Sequence, residues 1–213
     1  MRKINKSAAP NSFVSLLQHN KLTNWEDFHG KHKAVYDGCV ALLNQDQQGL
    51  DGYTEKPLKP NTRHIDHFKK KSGSFFPNEE FNWHNFVLAE YVNDKSYGAN
   101  AKDERIKSKD EYNYLINPVS EDPSLYFEYM ANGEIIPRRD LLEKDVSDKQ
   151  KNDKALFTID AFQLNHKTLT HKRQQLFDVI QELKRESLDD NGILGTMESI
   201  GFPSCMEYYL SHF

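Results

Sequence analysis

No stretch of this chain stays apolar for long: the longest unbroken run is residues 39–43, Cys-Val-Ala-Leu-Leu. A membrane span needs ~20 such residues, so none is expected. The 213 residues suffice for one elaborated domain, or for a small core with helical additions. Hydrophobic residues make up 37% and charged residues 28%, which implies a large surface relative to the core. The 12% of aromatic residues nevertheless argues for a folded chain, because disordered chains lack them. The start, Met1 to Pro10, is basic with no apolar segment behind it, so no secretory signal is expected. Cys39 and Cys205 are the only cysteines and lie far apart, which excludes a disulfide framework and a Cys-x-x-Cys zinc knuckle. A cytoplasmic location is the resulting expectation. The formal net charge of −4 rules out coating nucleic acid by bulk charge, so any such contact must come from a local basic patch.

Residues 1–49 read as a helical segment. Phe13, Leu16 and Leu17 begin an amphipathic face, Thr23 and Glu26 fit a capping box, and Val35, Cys39, Leu42 and Leu43 form one apolar stripe that Gly49 ends. Residues 50–117 are richer in Gly, Pro and Asn. Strands are expected at residues 63–68 and 86–92 with a basic loop between them, then a helix over about 99–114. Residues 118–213 begin with turns and short strands near 125–129 and 134–136. The charged run 143–154 has no apolar period and reads as a solvated loop. Leu169, Leu176, Ile180 and Leu183 recur at helical spacing and predict a helix over about 167–186. A tail with Phe202, Tyr208, Tyr209, Leu210 and Phe213 is expected to dock on the core or on a partner. The three segments are expected to pack as one domain.

The residues that carry chemistry cluster in the middle segment. On a strand, Asp66 and His67 point to opposite faces, and a loop or bulge can bring both to a common site. Asp66 suits a hard divalent cation such as Mg²⁺. His67 can take a proton from water near neutral pH. A carboxamide from the following helix can complete a metal shell, and the metal would stabilise charge developing on a phosphate. His64 shares the face of Asp66 and is open between second ligand, phosphate contact and plain strand residue. Arg63, Lys69, Lys70 and Lys71 flank the site and are read as contacts to a nucleic-acid backbone. Lys102 is either a further phosphate contact or a helix-surface lysine.

The stretches "GLDGYTEKPL", "HIDHFKKK", "FNWHNFVLAE", "YGANAKD", "YLINPVSEDPSLYFEY…NGEIIP" and "FTIDAFQLNHKTLTHKR" occur in the order found in PtuB-type HNH proteins, and the chain resembles that family over most of residues 48–180. The resemblance implies an α+β fold, with a central ββα-metal HNH motif embedded in a mainly helical domain with helical N- and C-terminal segments. It implies an endonuclease that cleaves DNA with one Mg²⁺ or Mn²⁺, as the effector of a PtuA-type ATPase in Septu or retron anti-phage defence. His67 would be the general base, Asp66 a metal ligand, and Asn85 the brace of the loop that orients the base. Asn100 would be the final ligand, with Asn93 and Asp94 as alternatives.

Many HNH relatives carry two Cys-x-x-Cys pairs for a structural zinc. Here Asp51 and Thr54 stand at the first pair, and the second region offers Glu90 and Tyr97, so no structural zinc is expected. Packing by Tyr53, Phe68, Phe81, Trp83, Phe86 and Tyr97 would hold the motif instead. Two other readings stand beside the DNA endonuclease: a non-catalytic HNH-like adaptor that binds the ATPase, and an RNA- or tRNA-cleaving nuclease using the same site.

Overall fold

The computed structural model describes residues 1–141 and 145–213. It is an α+β arrangement, mainly helical, with two small antiparallel sheets among the described residues. Three helices open the chain: α1 (Asn11–Gln18), α2 (Trp25–Gly30) and α3 (Lys33–Asp46). The cap of α2 sits one residue beyond the expected capping box. Asn24 Oδ1 accepts from Asp27 N at 2.8 Å, while the Thr23 hydroxyl donates to the Asp27 carboxylate at 2.6 Å. With the Thr23 hydroxyl spent on a carboxylate, the Asn24 carboxamide satisfies the free N–H and caps the helix.

Strand β1 (Arg63–His67) pairs antiparallel with β2 (Phe86–Glu90), setting Asp66 opposite Val87 and His67 opposite Phe86. This hairpin is covered on both faces. Ile65, Phe86 and Leu88 join Phe13, Phe28, Cys39 and Leu43 in one apolar cluster built with α1–α3. Val87 and Ala89, on the other face, belong to a larger cluster that runs from Met1 to Tyr209. Phe86, Val87, Leu88 and Ala89 have no exposed surface. Burial of a Phe or Leu side chain contributes roughly 1.5–3 kcal/mol, so the hairpin is anchored by its packing.

Helix α4 (Gly98–Arg105) follows and packs on β2. It is shorter than the predicted 99–114, because Ile106 turns to extended backbone and a 3-10 turn covers Asp110–Tyr114. Beyond it, β3 (Phe127–Tyr129) and β4 (Ile135–Pro137) form the second sheet. The charged run expected as a loop is instead largely helical: α5 spans Val146–Ala161, capped by Asp145, with residues 142–144 outside the described residues. Its buried side consists of Ala155, Thr158 and Ala161, small residues that leave little periodic signal.

Helix α6 (Lys167–Arg185) buries Leu169, Leu176 and Ile180 as its spacing predicts, and adds Arg173. The Arg173 guanidinium donates to the Gly133 carbonyl at 2.6 Å and the Leu164 carbonyl at 2.8 Å, tying the β3–β4 turn to α6. Two further helices, α7 (Asp190–Met197) and α8 (Pro203–His212), complete the chain. The tail docks on the core: Tyr209 is buried and donates to the Met130 carbonyl at 2.7 Å, and Phe213 packs on Phe177. No helix among the described residues is long and apolar enough to cross a membrane.

Candidate active site

The C-terminal end of β1 opens into a pocket of about 470 Å³, lined by His64, Ile65, Asp66, His67, Lys70, Lys71, Ser72, Phe75 and Asp103. Asp66 and His67 leave the strand on opposite faces and still reach one pocket, because β1 is an edge strand and the pocket wraps its end.

His67 is 8% exposed. Its Nε2 lies 2.8 Å from the Glu80 carbonyl. A carbonyl only accepts, so Nε2 carries the proton and Nδ1 keeps its lone pair. Among the described residues no hydrogen bond reaches Nδ1. The ring stands edge-on to Trp25 and Phe86, with centroids 4.3 and 5.3 Å away. Burial pulls the imidazole down to about 4, against the opposing pull of the Glu80 carbonyl and Asp66. The imidazole is therefore neutral at pH 7.

Asn85 holds the loop that presents Glu80. Its Oδ1 accepts from Lys69 N at 2.7 Å, and its Nδ2 donates to the Lys69 carbonyl at 2.9 Å and the Glu79 carbonyl at 3.1 Å. Both ends of the β1–β2 loop are thus pinned to one carboxamide. Glu80 also fastens the loop to the N-terminal helices, since its carboxylate accepts from Trp25 N at 3.1 Å.

Asp66 is buried, and its Oδ2 accepts two hydrogen bonds, from the Tyr53 hydroxyl at 2.6 Å and from Lys102 Nζ at 2.7 Å. Lys102 is neither a phosphate contact nor a helix-surface lysine. Its side chain has no exposed surface, and it also donates to the carbonyls of His67 and Phe68 at 2.7 and 3.1 Å. Burial pulls its pKa down, but Asp66 and Asp103 outweigh burial and the net shift is upward. The ammonium is therefore permanently charged and enclosed.

Asn100 is not among the residues that line this pocket. Its Oδ1 accepts from Val92 N at 2.8 Å, fixing the turn between β2 and α4. Asn93 and Asp94 are exposed in that same turn, where Asp94 accepts from Ser96 N. The carboxylate that α4 does bring to the pocket is Asp103, 3.3 Å from Lys102 Nζ. Its only sequence signal is its place one residue after Lys102 on the helix. His64 lines the pocket with a buried Nδ1 that has no hydrogen-bond partner. Among the described residues, no three His, Cys, Asp or Glu side chains gather closely enough to hold a metal ion. With Asp66 paired to an ammonium and Asn100 turned to Val92, the donor set does not fit the Mg²⁺ or Mn²⁺ that the resemblance implies at those two residues.

The basic residues divide. Arg63 donates to Asn44 Oδ1 at 3.0 Å, and Lys70 to the carbonyls of Asp103 and Ile106 at the end of α4, so both are engaged in the fold. Lys71 sits at the pocket with Glu80 at 3.4 Å, and Lys69 lies over the Phe76 ring at 5.3 Å.

Hydrogen bonds link the residues expected in place of a structural zinc site. Asp51 accepts from Thr54 N at 2.7 Å and from Glu90 N at 2.6 Å, while Glu90 accepts from the Tyr97 hydroxyl at 3.1 Å. Lys56 joins the group, paired with Glu90 and within 2.5 Å of the Tyr97 hydroxyl. No protein-family model matches the chain, and no curated protein matches its sequence.

Proposed function

We propose that the chain is a phosphodiester hydrolase, an HNH-type endonuclease acting on DNA, with His67 as its general base. The observation that carries this reading is the tautomer of the imidazole: Nε2–H donates to the Glu80 carbonyl, which leaves Nδ1 as the acceptor, and His67 lines a pocket that also holds Lys71. A histidine in that tautomer can take one proton from a water molecule at Nδ1. The water oxygen then bonds to phosphorus, the opposite P–O bond breaks, and the leaving oxygen takes a proton from solvent. In this reading Lys71 at the pocket and Lys69 beside it would meet a phosphodiester backbone by charge alone. Asn85 keeps Glu80, and through it His67, in place while this happens.

A site with this few local cations would bind duplex DNA weakly alone, which supports a partner that delivers or retains the substrate. We assign that role to a PtuA-type ATPase. A second reading, the non-catalytic adaptor, is favoured by the pairing of Asp66 with Lys102, which ties up the carboxylate nearest the base. Cleavage of supercoiled plasmid, by the purified chain alone and with the ATPase, separates the two. Nicking that disappears in His67→Ala supports the nuclease. Nicking undiminished in His67→Ala removes His67 as base, and no nicking with the partner present leaves the adaptor. Labelled DNA and RNA substrates offered together report which backbone is cleaved.

A further inference from the structure

Four oxygens surround the ammonium of Lys102: Asp66 Oδ2 at 2.7 Å, the His67 carbonyl at 2.7 Å, the Phe68 carbonyl at 3.1 Å and Asp103 Oδ1 at 3.3 Å. Two carboxylates and two peptide carbonyls form the kind of all-oxygen donor set that Mg²⁺, Mn²⁺ and Ca²⁺ take. In this chain the centre of that set is a side chain. The three ammonium protons match Asp66, His67 and Phe68, and Asp103 stands as a fourth oxygen at ion-pair distance. The surroundings fix the arrangement. The Tyr53 hydroxyl holds the same Asp66 oxygen at 2.6 Å, and the Tyr53 ring lies 5.8 Å from the ammonium. The two carbonyls come from the end of β1, where the chain turns into the β1–β2 loop.

We propose that Lys102 is the resident cation of this seat, standing where a divalent metal ion would otherwise be held between Asp66 and Asp103. A second cation on the same carboxylates would have to lie against a fully buried ammonium, and like charges at that range repel strongly in a dry site. The wild-type chain therefore takes no divalent ion at Asp66. The seat becomes a metal site only when the lysine is removed. This inference does not depend on the nuclease reading, because it concerns what fills the seat and not what is cleaved.

The test is uptake of Mn²⁺ by the full chain, read as loss of the free-ion signal in electron paramagnetic resonance. Wild type is compared with Asp66→Asn, and Lys102→Ser with the double variant Lys102→Ser/Asp66→Asn. Expected is equal uptake by wild type and Asp66→Asn. Lys102→Ser should bind one further Mn²⁺, lost again in the double variant. Its melting temperature should also rise with Mn²⁺ or methylammonium, which leave the wild type unchanged. Mn²⁺ uptake by the wild type that Asp66→Asn removes would overturn the proposal, as would a folded Lys102→Ser that takes none. If Lys102→Ser does not fold, the comparison of wild type with Asp66→Asn still decides the matter. Cleavage is not read, so a failed nuclease assay and a failed proposal are distinct results.

Discussion

Replacing Lys102 by Met keeps most of the side-chain volume and removes the charge. The wild-type ammonium has no exposed surface, and Asp66 is 6% exposed. After the substitution Asp66 retains the Tyr53 hydroxyl as donor, while the carbonyls of His67 and Phe68 lose the lysine's hydrogen bonds. Breaking a buried ion pair by removing one partner costs about 3–5 kcal/mol, because the remaining charge is left uncompensated. A domain of this kind is stable by about 5–15 kcal/mol, so the variant should be folded but far weaker. Urea unfolding followed by circular dichroism measures the loss. The double variant Lys102→Met/Asp66→Asn should recover at least half of it, since neither buried charge then remains. A loss below about 1 kcal/mol for Lys102→Met would show that the ammonium is not enclosed as described.

Three further outcomes follow from other parts of the chain. His67 titrates near 4 when folded and near 6.5 when unfolded, so between those values the unfolded chain binds the extra proton. Stability should be intact above about pH 6.5 and fall by about 3 kcal/mol as the pH drops to 4, and His67→Gln should remove that part of the acid sensitivity in urea titrations. Asn85→Ala leaves the Lys69 and Glu79 backbone groups without their partner and should cost about 2–3 kcal/mol, with faster amide exchange across the β1–β2 loop. Gly133 has φ +82°, and an added Cβ would lie 2.0 Å from the Thr170 carbonyl, so Gly133→Ala should lower the melting temperature far more than Gly30→Ala, where nothing lies within 4 Å.

The hairpin was legible because Phe86 and Val87 favour strands and open a wholly apolar run to Ala89, and α6 because Leu169, Leu176 and Ile180 keep the helical period. Helix α5 was not, since it buries only small residues along a charged stretch. Within the site, Asp66 and His67 could be singled out by the ordered stretches around them, and Asn85 by the family resemblance. Lys102 could not: a lysine on a short helix is ordinarily solvated, and only the tertiary approach of α4 to the end of β1 encloses it. Asn100, expected as a ligand from its place just before Lys102 and Asp103, instead accepts from a backbone N–H eight residues back, a partner that its sequence neighbours do not show. Glu80 and Trp25 were invisible as supports of His67, because one acts through its carbonyl and the other comes from a separate helix.

In the proposed function His67 acts as a base that stays neutral well below pH 6.5. The direct measurement is the plasmid-nicking rate, with the ATPase present where needed, at pH 5.5 and pH 7.5 for wild type and His67→Ala, with circular dichroism confirming the fold at both. An ordinary imidazole would be about 90% protonated at pH 5.5. With His67 near 4, the wild-type rates should agree within about twofold and His67→Ala should be inactive at both. A tenfold fall at pH 5.5 in protein that remains folded, or full activity in His67→Ala, would contradict the account.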